Sequence, residues 1–299
     1  MKKRIFTFAT LLVASVFGSY PVHGMTPLTP DEVKELGDKY GLGLGRNSDA
    51  NKEKESYSWA KEVLKAAIRR DDEETVSRIV RSFEGIVNSD IVGHDGRTTT
   101  PLIYACNCNP FPWMPQSGPS FDMVKLLLQN GANVNARDLD GRTALHAKID
   151  SPRIVALLLE HGADISARCD YGGTVLFNKE NVMVVCQLIN AGVDAKAANK
   201  FGGTALYIAC YHHYKPELIA ILADVCDVNA KHKNGGTALT VLLSEDELKR
   251  RPNEVLETVR VLLRKGADPS IGSPLRYLNT KSSKGAAEAA ALLRAAMEK

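Results

Sequence analysis

The chain has 299 residues, 44% of them hydrophobic and 24% charged, with 38 Lys plus Arg against 35 Asp plus Glu. That is a soluble composition with enough apolar residues for one large domain or two ordinary ones. The surplus of three cations is Lys2, Lys3 and Arg4, so the rest of the chain is electrically balanced. Neither the total nor any Lys/Arg-rich run supplies the cation excess with which nucleic-acid binders displace counterions, so nucleic acid is not the expected partner.

The three cations precede an apolar stretch from Ile5 to Gly18 and then Ser19, Tyr20 and Pro21. A basic head, a short apolar core and a polar end are the grammar of a signal peptide. The stretch is too short for the roughly 20 helical residues that cross a bilayer, so no permanent membrane anchor is expected. Small residues place cleavage after Val22-His23-Gly24, or alternatively after Val16-Phe17-Gly18. No cysteine follows for lipid attachment. Residues 1–24 are thus expected to be a signal peptide and the mature protein to be secreted or periplasmic.

Residues 25–56 show no hydrophobic periodicity, contain Gly41, Gly43, Gly45 and a charged run, and are expected to form a flexible tether. The Gly41 to Gly45 run lacks the preceding strand and the spacing of a dinucleotide loop. Beyond it, Val63, Leu64, Ala67 and Ile68 predict one helix, and Val76, Ile79, Val80 and Phe83, at i, i+3, i+4 and i+7, predict a second.

From Asp95 onward one phrase recurs: DGRTTTPLIYAC at 95, DGRTALHA at 140, YGGTVLF at 171, FGGTALYIAC at 201 and NGGTALT at 234. Each copy is followed by another phrase: LLLQNGANVNA at 126, LLLEHGADISA at 157, LINAGVDAKA at 188, ILADVCDVNA at 221 and VLLRKGADPS at 261. Glycine permits a tight turn, and Thr100, Thr143, Thr174, Thr204 and Thr237 each suit a helix N-cap. The leucine run is the buried stripe of a second helix. Gly131, Gly162, Gly192 and Gly266 stand where a left-handed C-terminal cap is wanted. Pro274 to Leu278 and Ala286 to Met297 supply a closing pair.

These phrases resemble the T-P-L-H-x-A and L-L-L-x-x-G-A-D-V-N-A signatures of ankyrin repeats over about residues 57–299. The resemblance implies an all-α ankyrin-repeat solenoid of helix-turn-helix repeats joined by β-turn fingers, with N- and C-terminal capping repeats. Departures are also visible. The family histidine survives only at His146, with Ile103, Phe177, Tyr207 and Thr240 elsewhere, and Val225 occupies a capping-glycine position. Insertions of Asn107 to Ser120 and Ser244 to Asn253 fall between paired helices, where a solvated turn is expected.

Cys106-Asn107-Cys108 and His212-His213 with His232 form no metal-ligand set, and no nucleophile elbow is present. Neither enzymatic activity, a metal nor a cofactor is expected. Cys106 and Cys210 occupy equivalent positions too far apart to pair, leaving Cys186 with Cys210 as the long-range disulfide that register permits and buried free thiols as the default. The expected role is an exported, monomeric interaction module whose concave or finger surface binds a protein partner. The alternative is a structural accessory that protects an envelope enzyme. Candidate binding residues are Arg142, Tyr171, Phe201 and Asn234 along one edge of the turns, and Trp113 in the first insertion. Tyr171 and Phe201 would serve as aromatic anchors or would pack together for stability.

Overall fold

The computed structural model describes residues 27–44, 52–93, 96–108, 119–278 and 283–298. The expected signal peptide, residues 1–24, and Trp113 with most of the first insertion lie outside the described residues.

The architecture is a linear stack of two-element units. The amino-terminal unit pairs α2 (Lys52–Arg69) with α3 (Glu73–Ser82). Unit one opens with a two-stranded hairpin, β1 (Ile91–Val92) and β2 (Thr98–Thr99), and continues through α4 (Pro101–Asn107) and α5 (Phe121–Gln129). Unit two has a single 3-10 turn, Ala144–His146, before α6 (Pro152–Glu160). Unit three has only turns before α7 (Val182–Asn190). Unit four pairs α8 (Ala205–Tyr211) with α9 (Pro216–Val225). Unit five contains α10 (Ala238–Val241), α11 (Glu245–Arg250) and α12 (Pro252–Arg264). A 3-10 turn, Pro274–Tyr277, and α13 (Lys284–Met297) close the stack. Second helices pack on their neighbours in order, α5 on α6, α6 on α7, α7 on α9 and α9 on α12, so one continuous apolar core runs through every unit.

Local chemistry explains the boundaries. Thr100, Thr204 and Thr237 accept from the main-chain N–H three residues on, as N-caps should. Proline begins α4, α6, α9 and α12, where its missing N–H costs nothing. Gly131, Gly162, Gly192 and Gly266 have φ between 81° and 91°, the left-handed caps expected after α5, α6, α7 and α12.

Four expectations need correction. Residues 25–56 are not a tether throughout: Pro30–Lys39 forms α1, closed by a Thr29–Glu32 capping box and packed on α2 through buried Val33 and Leu36. Asp72 ties its end down, accepting from Lys39 Nζ at 2.8 Å and Tyr40 Oη at 2.7 Å. Thr174 caps no helix, and its buried hydroxyl has no hydrogen-bond partner. Residues 244–253 are more than a solvated turn, because α11 buries Leu248 and packs on α12 and α13. Val225 is the last helical residue of α9 and is followed by extended Cys226, at φ −90° and ψ 163°, so no left-handed cap exists there. All six cysteines are free, Cys186 and Cys210 included.

Candidate functional site: the finger edge and adjoining cleft

Between the second helix of one unit and the first element of the next, the chain makes a narrow projecting turn, here called a finger. Each finger is braced from within. In the second, Asp138 Oδ1 accepts from the N–H groups of Asp140 and Arg142, both at 2.9 Å. In the fourth, Asn199 Oδ1 accepts from Phe201 and Gly203, again at 2.9 Å. In the fifth, Asn234 Oδ1 accepts from Gly236 at 3.0 Å, and His232 Nδ1 accepts from Asn234 N–H at 3.3 Å. Short Asx side chains hydrogen-bond their own backbone two residues on, which makes such turns rigid without a partner.

The fingers are also joined to one another. Asp170 N–H donates to Asp140 O, Lys200 N–H to Tyr171 O and Lys233 N–H to Phe201 O, each at 2.8 Å. That ladder requires close backbone approach at Gly202, where a Cβ would stand 2.6 Å from Lys231 O and φ is +82°. Only glycine satisfies both conditions.

The ladder sets the spacing of the side chains it carries. Tyr171 and Phe201 stack with centroids 6.5 Å apart and planes inclined by 26°, yet each remains about half exposed, at 50% and 47%. Phe201 faces His232 at 6.4 Å, and His232 stacks on Tyr207 at 4.8 Å. The row therefore runs Tyr171, Phe201, His232, Tyr207, with Lys233 Nζ 5.9 Å from the Phe201 centroid. Asn234 is equivalent to the rings in sequence, but its side chain turns back to brace its own finger. His232, two residues earlier, continues the stack instead. In the sequence His232 stands among candidate metal ligands, and the spacing of aromatic groups on successive fingers is the signal that links it to the row.

Arg142 stands apart from the rings. Its guanidinium lies 3.5 Å from Asp140 Oδ2, which Arg97 also reaches at 2.5 Å. It borders a cleft of about 370 Å³ that spans units one to four and is lined by Asn107, His146, Lys148, Glu180, His212 and Tyr214. Lys148 and Glu180 bridge across the cleft wall at 2.6 Å. His146 Nδ1 accepts from Thr143 N–H at 3.1 Å, and the ring is partly buried in the cleft wall. Burial pushes the imidazole pKa down to about 4, with the Gly173 carbonyl acting in the opposite direction, so the ring is neutral at physiological pH. In unit five Thr240 takes over that bracing, its Oγ1 accepting from Thr237 N–H at 2.7 Å.

Chemically, the edge offers flat apolar surface, exposed main-chain corners and a few charges. Among the described residues no group of three or more His, Cys, Asp or Glu is gathered to hold a metal ion, and no helix is long and apolar enough to cross a membrane. Burial drives the Cys106 thiol up to about 12, so it is protonated and packs as a small apolar group.

The profile of the family described as ankyrin repeats (3 copies) matches residues 113–178 and 174–273. No curated protein matches the chain. Since the matched segments cover more than half of the sequence and coincide with the fingers and paired elements of the stack, the chain belongs to the ankyrin-repeat family.

Proposed function

We propose that the protein is an exported, monomeric interaction module that binds a protein partner along the finger edge, with Tyr171 and Phe201 as its anchors. Ankyrin repeats generally mediate protein–protein interaction. The observation that supports this edge is the Tyr171–Phe201 pair, held side by side by the backbone ladder and left half exposed. A preorganised aromatic pair loses little side-chain entropy on binding, and such groups dominate interface energetics. Export rests on the basic head and short apolar core of residues 2–21.

The test uses the chain expressed with its own leader in its native cells. Partners are captured by cross-linking, identified and rebuilt with purified components. Truncation of a buried aromatic anchor costs about 2 kcal/mol, roughly thirtyfold in affinity. Tyr171→Ala with Phe201→Ala should therefore weaken the partner at least that much without loss of folding. Unchanged affinity in the double variant, with loss in Trp113→Ala, would move the site to the first insertion. The secreted or periplasmic fraction should contain a chain beginning near Met25, and an intact mass retaining Met1 would remove the export reading.

A further inference from the structure

Beside the two rings the fingers carry an unbalanced charge. On the first three, cations are answered within the protein: Arg97 and Arg142 converge on Asp140, and Arg168 pairs with Asp194 at 3.0 Å. On the next two, Lys200 and Lys233 immediately precede Phe201 and Asn234 at equivalent positions. Both are exposed, and neither has a carboxylate at ion-pair distance among the described residues. Their backbones are fixed by the ladder, since Lys200 N–H is bound to Tyr171 O and Lys233 N–H to Phe201 O. Two lysines with fixed backbones thus flank a stacked aromatic surface, and among the described residues neither makes an ion pair, not even with the exposed Asp170 on the neighbouring finger.

Resting on the finger-edge reading above, we infer that the bound partner segment is acidic and extended, with carboxylates at Lys200 and Lys233 and an apolar side chain on the Tyr171–Phe201 pair. An extended strand rises about 3.4 Å per residue, so alternate side chains lie about 7 Å apart. That repeat matches the 6.5 Å and 6.4 Å steps along the ring row. Apolar residues at alternate positions would meet successive rings, and acidic residues flanking them would reach the lysines beside the row. Complementary charge raises the association rate and excludes cationic competitors more than it adds raw affinity. A single-stranded nucleic acid would also meet rings and lysines. Two lysines in a chain without cation excess outside residues 2–4 are few for a phosphate backbone, so the peptide is the favoured occupant.

The experiment pans a displayed library of random twelve-residue peptides on the full chain at about 50 mM salt, a concentration low enough for surface charge to count. Selected peptides should be enriched in Asp and Glu together with Leu, Phe or Tyr. Lys200→Glu with Lys233→Glu should weaken them at least tenfold, Lys200→Gln with Lys233→Gln by an intermediate factor, and Tyr171→Ala with Phe201→Ala at least tenfold. Thermal unfolding verifies that each variant is folded. Peptides that need the rings but show no acidic excess would overturn this inference and leave the finger-edge function standing. Peptides indifferent to both rings and lysines, or no enrichment at all, would overturn both. Tight binding of a fifteen-residue oligothymidylate, lost in the same lysine variants, would replace the acidic peptide with nucleic acid.

Discussion

Lys179, only 2% exposed, donates from Nζ to the main-chain carbonyl of Ala147 in the preceding unit. The contact follows from a shortened repeat. Eleven residues separate Thr204 from the α9 N-cap Lys215, but only seven separate Thr174 from the α7 N-cap Asn181, a deficit of about one helical turn. The chain in unit three cannot form its first helix. Lys179 lies in the space left, and its amine becomes a second donor to a carbonyl that already accepts from Ile149 N–H at 2.8 Å.

Burial pushes the Lys179 pKa down from 10.5 to about 8, with Cys106 and Asp150 acting in the opposite direction. Between about 8 and 10.5 the unfolded chain holds a proton that the folded chain has released, so this group's contribution to stability rises with pH and is lost as pH falls through 8. Cys106, whose thiol is pushed up to about 12, titrates with the opposite sign, so the comparison must be differential. From pH 7.5 to 10.5 the unfolding free energy of wild type should gain about 3 kcal/mol relative to Lys179→Met. Denaturant titrations at both pH values measure it, and parallel pH profiles would show that the amine is solvated.

Val225→Gly should destabilise the protein by about 0.5–1 kcal/mol, because position 225 is helical and glycine is a poor helix former. Sequence alignment with Gly131 suggests the reverse outcome. A rise in melting temperature would mean that α9 ends in a left-handed cap in solution.

Two glycines with nearly the same φ should respond differently to alanine. At Gly131, φ +84°, an added Cβ meets nothing within 4 Å, so Gly131→Ala should cost only the conformational penalty of about 1 kcal/mol. Gly202→Ala adds a clash with Lys231 O and should cost about 1–3 kcal/mol more, as overpacking does. It should also speed amide exchange at Lys233, whose N–H binds Phe201 O. Equal losses at the two sites would show that the fingers are not in contact.

Asn135 bridges successive units, donating from Nδ2 to Gly162 O at 2.9 Å and accepting from Asp164 N–H at 2.7 Å. Asn229 does the same with Gly266 and Asp268. Ser166, equivalent in sequence, reaches only Asp164 in its own turn. Asn135→Ala should cost about 1–2 kcal/mol, and Ser166→Asn should gain about 1 kcal/mol by forming the missing bridge. Calorimetry of the two variants and their combination checks both, and a destabilising Ser166→Asn would indicate a different spacing of units two and three.

The sequence alone determined the repeat architecture, because recurring local rules leave little choice: a turn glycine and a following threonine in all five copies, an apolar stripe in each second helix and a terminal glycine in four. It also placed Tyr171 and Phe201 on neighbouring fingers, since equal register in a stack means adjacency. Tertiary structure decided what depends on contact between units. The missing first helix of unit three, buried Lys179, α1 folded onto α2 through two apolar residues, and the α11 insertion recruited against α13 arise from packing across distant segments. His232, rather than Asn234, extends the ring row because Asn234 forms its local hydrogen bond to Gly236 N–H, and only the joined fingers bring His232 into stacking distance. Local propensity is legible one repeat at a time, whereas the partner of a buried charge or an exposed ring is fixed only when the next repeat is laid beside it.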